Sequence, residues 1–258
     1  MLNQYRETIT QIVAMILRET KEPNIESVPM EFVREYYTPD PDEQVQIDDL
    51  LEYIATGTQS AIEVKYGGGD ARVIVRDKVA LYLMLYSLNF NMATVDLLHW
   101  KDFEQLVKYA LEENGFKAVN NFHFKDAAGK KYEIDTIAAD KFSKEHIIIL
   151  IDAKHWDHRT NSSPQRVIDA ADEQYKRALA LGKTKHILSE LLLDLKLKWH
   201  DCILMPMVVT LLAPPVQNFS IPIVSILNFN NFILEFSNNM DFFKKVYVKN
   251  IPEQKTLD

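Results

Sequence analysis

The run Ile147-Ile148-Ile149-Leu150-Ile151 constrains this chain more than any other segment. Successive side chains of a strand point to opposite faces, so an uninterrupted apolar run needs apolar cover on both sides. Such a run marks a central strand rather than an edge, in a sheet with helices on its faces. The run closes in Asp152-Ala153-Lys154. Residues two apart share a face, so Asp152 and Lys154 project side by side from the end of that strand. Charges beside a buried strand are costly unless something pairs with them.

The flanking pattern extends this reading. A helix is expected over 100–113, with Phe103, Leu106, Val107, Ala110 and Leu111 on one side and Gly115 as its stop. Strands follow over 118–125, 132–139 and 147–154, with Gly129 and Ser143 in the turns. Pro164 opens the next helix behind Ser163 as cap, and Gly182 closes it. A Leu-rich helix over 187–199 precedes an apolar strand over 202–212 and a Pro214-Pro215 break. A strand over 221–227 and a helix over 229–236 complete the series.

Upstream, Leu2, Tyr5, Ile9, Ile12, Val13, Ile16 and Leu17 form one helical stripe that Pro23 ends. A loop rich in Pro and acid leads to a helix over 42–55. Strands over 61–66 and 71–76 flank Gly67-Gly68-Gly69-Asp70, which reads as a hairpin turn; no Lys-Ser/Thr follows to make a phosphate loop. A helix over 77–90 and a linker over 89–94 come next. The expected fold class is therefore α/β, a mixed central sheet flanked by helices, preceded by a smaller α+β domain. The domains expected are an acidic one over 1–95 and a second over 96–258.

Charge separates the same two regions. The chain of 258 residues carries a net charge of −8. Residues 1–99 hold 8 Lys/Arg against 16 Asp/Glu, and the remainder holds 21 of each. A neutral second region excludes tight, indiscriminate coating of nucleic acid, which needs a basic footprint. The single Cys202 excludes a disulfide framework and a cysteine zinc site, and fits a reducing compartment. No apolar run is long enough to span a membrane, and the N-terminus lacks a signal-peptide pattern, so a cytoplasmic location is expected.

The strand over 132–139 pairs with the apolar strand as a hairpin and brings a second acid, Asp135. Two carboxylates and a lysine at adjacent strand ends suit metal-assisted phosphodiester hydrolysis. The carboxylates hold a hard divalent cation, which polarises the phosphate and acidifies a water. The lysine positions that water or neutralises growing charge.

Glu133-Ile134-Asp135 followed by Ile151-Asp152-Ala153-Lys154 resembles the core motif of the PD-(D/E)xK, restriction-endonuclease-like nuclease superfamily. Asp102-Phe103-Glu104-Gln105-Leu106-Val107 resembles the "FE" helix of its Mrr-like and Holliday-resolvase-like branches. Lys154-His155-Trp156 is similar to their K-x-W ending, and Gln174 lies in the following helix, where several branches carry a Gln. The resemblance spans about residues 98–230. It lacks a Pro before Asp135, and Asp152 stands where the Mrr-like branch more often has Glu.

The resemblance implies that Asp135 and Asp152 are metal ligands, joined by the carbonyl of Ala153, and that Lys154 orients the nucleophilic water. Glu104 completes the site from the first helix, and Gln174, on the inward face of its own helix, serves the lysine or the phosphate. Glu133 is a fallback ligand. Lys176, Arg177, Lys183 and Lys185, with Lys244, Lys245 and Lys249, read as ordinary surface charge, and 158–162 as a polar loop.

The implied function is a Mg²⁺-dependent DNA endonuclease (Mn²⁺ as a substitute) leaving 5′-phosphate and 3′-hydroxyl ends. A homodimer, or a protein partner engaged by the N-terminal domain, is a family-level expectation. The alternatives are a nuclease fold used for binding or assembly without cleavage, and an RNA-directed nuclease on the same scaffold.

Overall fold

The computed structural model describes residues 2–37, 41–66, 71–88, 97–141, 143–155, 164–210 and 220–253. The chain divides into two compact units, Met1–Phe103 and Glu104–Asp258. No helix among the described residues is long and apolar enough to cross a membrane.

The first unit opens with α1 (Leu2–Glu19), which buries Ile9, Ile12, Val13, Ile16 and Leu17 as its spacing requires. β1 (Ser27–Pro29), α2 (Met30–Tyr37), α3 (Pro41–Gly57), β2 (Ile62–Lys65), β3 (Arg72–Val75) and α4 (Lys78–Ser87) follow. The three strands form an antiparallel sheet in the order β1-β3-β2. Asp77 caps α4 by accepting from the Ala80 N–H at 2.9 Å, and Arg6 Nε of α1 donates to the Leu88 carbonyl at 2.9 Å. β1 and α2 occupy a stretch expected to be loop. Among the described side chains of α2 only Met30 and Val33 are fully buried, too few anchors for a helical period to register. The hairpin turn at 67–70 and the linker at 89–94 lie outside the described residues.

α5 (Trp100–Glu113) leads into the second unit and ends where Gly115 takes φ +83°. The Phe116 N–H reaches back to the Leu111 carbonyl at 3.1 Å and the Gly115 N–H to that of Glu112 at 2.9 Å, a Schellman ending. β4 (Lys117–Lys125), β5 (Lys131–Ala139) and β6 (Ile147–Lys154) are successive antiparallel strands. α6 (Pro164–Lys183) and α7 (Lys185–Asp194) then carry the chain to β7 (Cys202–Thr210), which lies parallel to β6. β8 (Ile223–Ser225), α8 (Ile226–Leu234), α9 (Phe236–Asn239), a 3-10 turn at Met240–Phe242 and β9 (Val246–Val248) finish it.

The mixed sheet runs β4-β5-β6-β7-β8, with β9 also on β7. The apolar strand is central as expected, and Ile147–Ile151 are buried on both faces. Ile148 and Leu150 share one core with Ala178 and Leu181 of α6 and with Leu188, Leu191 and Leu192 of α7. That packing lays α6 across the face on which Asp152 and Lys154 also lie.

Three boundaries differ from the expectation. Gly182 does not close α6 but lies within it. A Cβ there would stand 3.0 Å from Val246 Cγ1 and 3.3 Å from Val248 Cγ2, so the glycine lets α6 approach β9. α7 stops at Asp194 rather than near Trp199, because Lys196 takes φ +54° and the Leu197 N–H bonds the Leu192 carbonyl at 2.8 Å. β8 keeps only three residues because one edge of β7 is shared: β9 pairs with Cys202–Leu204 and β8 with Val208–Thr210. The Pro-Pro break lies outside the described residues.

Candidate active site

The β5–β6 ladder pairs Ala139 with Ile148 and continues to Thr136 with Ile151, where it ends. The next rung would set Asp135 opposite Asp152. Instead the strands part: β5 stays with β4, and β6 stays with β7 as far as the Lys154–Thr210 pair. The Ala153 N–H, released from the ladder, donates to Asp135 Oδ2 at 2.8 Å. A buried backbone donor needs an acceptor, so this bond fixes the Asp135 carboxylate in the fork. Across the β4–β5 ladder, Asn121 holds φ +56° between the Asn120–Thr136 and Phe122–Ile134 pairs. Asn tolerates that left-handed conformation better than most residues, and the distortion falls opposite Asp135.

Asp152 is 1% exposed. Its Oδ1 accepts from Lys154 Nζ at 3.0 Å and from Arg177 Nη1 at 2.6 Å. The same Nη1 donates to Gln174 Oε1 at 3.0 Å. Gln174 and Arg177 are three residues apart on α6, hence on one face of the helix. Gln174 is fully buried as expected, and its Nε2 has no hydrogen-bond acceptor among the described residues.

Burial, and next the negative charge of Asp152, push the Asp135 carboxyl up to about 6 from an ordinary 3.8. The Ala153 N–H and the charges of Lys154 and Arg177 oppose that rise. Groups displaced in this way gather at functional sites and in structural ion-pair networks alike.

The structure thus brings Asp135, Asp152, Ala153, Lys154 and Gln174 together at the end of β6. Glu104 is buried on α5, at 7% exposure. Glu133 turns to the surface, where its Oε1 lies 3.6 Å from His123 Nε2. It leaves the ligand set because β5, past the fork, follows β4. Arg177, read from sequence as surface charge, is the residue that reading missed. Its spacing from Gln174 was the available signal. Lys176 does face solvent, 2.5 Å from Glu173 Oε1. The polar loop 158–162 lies outside the described residues.

No group of three or more His, Cys, Asp or Glu side chains is gathered among the described residues. The donors at the fork are carboxylate and carbonyl oxygens, the set that hard divalent cations take. After burial, the negative charge of Asp152 is the next cause that raises Asp135, a repulsion that a cation would relieve. Asp135, Asp152 and the Ala153 carbonyl have the donor chemistry that such an ion takes.

The mixed sheet that forks at this Asp–Asp–Lys cluster is similar to that of restriction-endonuclease-like domains. Residues 95–178 match the Mrr_cat family, described as restriction endonuclease, and the resemblance to the PD-(D/E)xK superfamily is borne out over that segment. None of the curated proteins matches the chain. Among solved structures it is similar to a protein of unknown function, AF1548, at 17% identity and a TM-score of 0.28, over 43% of this chain and 46% of that one. It is also similar to the restriction endonuclease FokI, at 12% identity and a TM-score of 0.29, over 78% of this chain and 37% of that one. Each match spans less than half of the solved chain.

Proposed function

We propose that the protein is a metal-dependent DNA endonuclease whose site lies at the fork between β5 and β6. The observation that carries this reading is the end of the ladder at Thr136–Ile151, beyond which Asp135, the buried Asp152 and Lys154 gather at the end of β6. Asp135, Asp152 and the Ala153 carbonyl would hold Mg²⁺, or Mn²⁺ in its place, with Glu104 completing the set from α5. When bound, the ion supplies Lewis-acid activation of the scissile phosphate and of a water.

The chain's own residues do the rest. Lys154, held 3.0 Å from Asp152 Oδ1 and with its side chain 29% exposed, would orient the attacking water. Its charge and that of Arg177 offset the charge that develops on the phosphate. The buried Gln174 Nε2 offers a donor to a phosphate oxygen. The resemblance implies 5′-phosphate and 3′-hydroxyl products. The family match beginning at residue 95 supports a nuclease domain over 96–258 behind a separate acidic domain over 1–95.

The test is cleavage of plasmid, branched-junction and single-stranded DNA, and of RNA, with Mg²⁺ or Mn²⁺. Wild type is compared with Asp152→Ala and Lys154→Ala. Metal-dependent DNA cleavage lost in both variants supports the proposal. Cleavage of RNA alone transfers it to that substrate. No cleavage leaves the binding-module reading in its place, and variants as active as wild type refute the assigned site.

A further inference from the structure

Asp152 Oδ1 is an oxygen with two claims already on it. Lys154 Nζ approaches from the same strand and Arg177 Nη1 from α6, at 3.0 and 2.6 Å. With Asp135 ionised, two carboxylates and two cationic groups balance, so the cluster is neutral without further charge. A divalent ion entering it meets a carboxylate oxygen whose lone pairs are engaged and two positive charges at close range. Coulomb repulsion at such separations is several times stronger than in bulk water. One cationic group must leave Oδ1 for the ion to bind there.

The geometry selects which one. Lys154 springs from β6 two residues from Asp152, so the strand holds the two side by side. Arg177 reaches in from a helix on a long side chain and has a second acceptor, Gln174 Oε1, at 3.0 Å. That bond also settles which end of the Gln174 amide faces the guanidinium. It leaves Nε2 fully buried and without an acceptor among the described residues. An amide donor kept buried without a partner is costly, which points to an acceptor that arrives with a ligand.

We propose that Arg177 gates the cation site. It holds Asp152 Oδ1 until a divalent cation displaces it. The guanidinium, still tethered to Gln174, then forms with Gln174 Nε2 a two-donor seat for oxygens of the scissile phosphate. This inference rests on the nuclease reading for its phosphate and on the Asp152 contacts for its gate. It makes an otherwise structural ion pair a competitor of the metal.

The experiment is a titration of the full-length protein with Mn²⁺ alone, followed by calorimetry and by the electron paramagnetic resonance signal of free Mn²⁺. Wild type, Arg177→Gln, Gln174→Glu and Asp152→Asn are compared, each first checked by circular dichroism. Arg177→Gln is expected to bind Mn²⁺ about tenfold tighter or more, because a competing unit charge has gone. Gln174→Glu gives the guanidinium a rival carboxylate and is expected to shift affinity the same way, which serves if Arg177→Gln does not fold. Asp152→Asn is expected to lose binding. In cleavage assays Arg177→Gln is expected to lose turnover despite its tighter metal. Unchanged or weaker Mn²⁺ binding in both Arg177→Gln and Gln174→Glu would overturn the gate, even with wild-type DNA cleavage intact. Tighter binding with no cleavage by wild type would instead uphold the gate and sink the nuclease reading.

Discussion

Replacing Asp135 by Asn is expected to stabilise the protein while abolishing cleavage. The carboxyl is raised from 3.8 to about 6, first by burial and then by the charge of Asp152. Each pH unit of displacement is worth about 1.4 kcal/mol, so the ionised Asp135 costs the fold about 3 kcal/mol. A group that holds its proton more tightly folded than unfolded favours the fold fully only below its unfolded pKa, and that contribution is lost as pH rises through the folded value. The cost is therefore small below about pH 4, roughly half developed near pH 5 and complete by about pH 7.5. Asn carries no charge, and its Oδ1 still accepts the Ala153 N–H that Asp135 takes at 2.8 Å. Urea unfolding in a chelating buffer, followed by tryptophan fluorescence at several pH values, reads the difference. The gap between Asp135→Asn and wild type should widen with pH to about 3 kcal/mol, and millimolar Mg²⁺ should narrow it by stabilising wild type alone. A variant less stable than wild type at about pH 7.5, or a gap that ignores pH, refutes the reasoning.

Two further outcomes test the packing that supports the site. Gly182→Ala places a Cβ 3.0 Å from Val246 Cγ1, so α6 or β9 must shift, and thermal unfolding should show a loss of about 1–3 kcal/mol. Gly57→Ala, with nothing within 4 Å of the added Cβ, is the control and should show no such loss. Lys196→Gly removes a side chain from a left-handed position at φ +54° and should raise stability by about 0.5–1 kcal/mol, read from the urea midpoint at unchanged slope.

The cost at Asp135 also bears on how the site works. A cluster that is more stable without its charge is one that a bound cation would stabilise. The neutral net charge of the region beyond residue 100 is consistent with this. Its acids are not all solvated surface, and Asp152 is held by Lys154 and Arg177 in the interior.

The sequence by itself determined what depends on near neighbours. The period of two put Asp152 and Lys154 on one face of β6, and its unbroken apolar run placed that strand inside the sheet. Helical spacing turned Gln174 inward with Val167, Ala171, Ala178 and Leu181, and α5 and the first three strands of the sheet were legible within a residue of their observed ends. Tertiary structure decided what depends on partners distant in the chain. Gly182 looks like a helix stop until β9, sixty-odd residues on, is packed against it. β8 and β9 share an edge of β7 that no local pattern announces. Glu133 and Asp135 share a strand face, yet only the parting of β5 from β6 sends one to solvent and the other into the fork. Arg177 looks like one basic residue in a charged helix until the α6 core packing carries it 2.6 Å from Asp152. Local periodicity fixes which way a side chain points, whereas the charge it meets there is supplied by another segment of the fold.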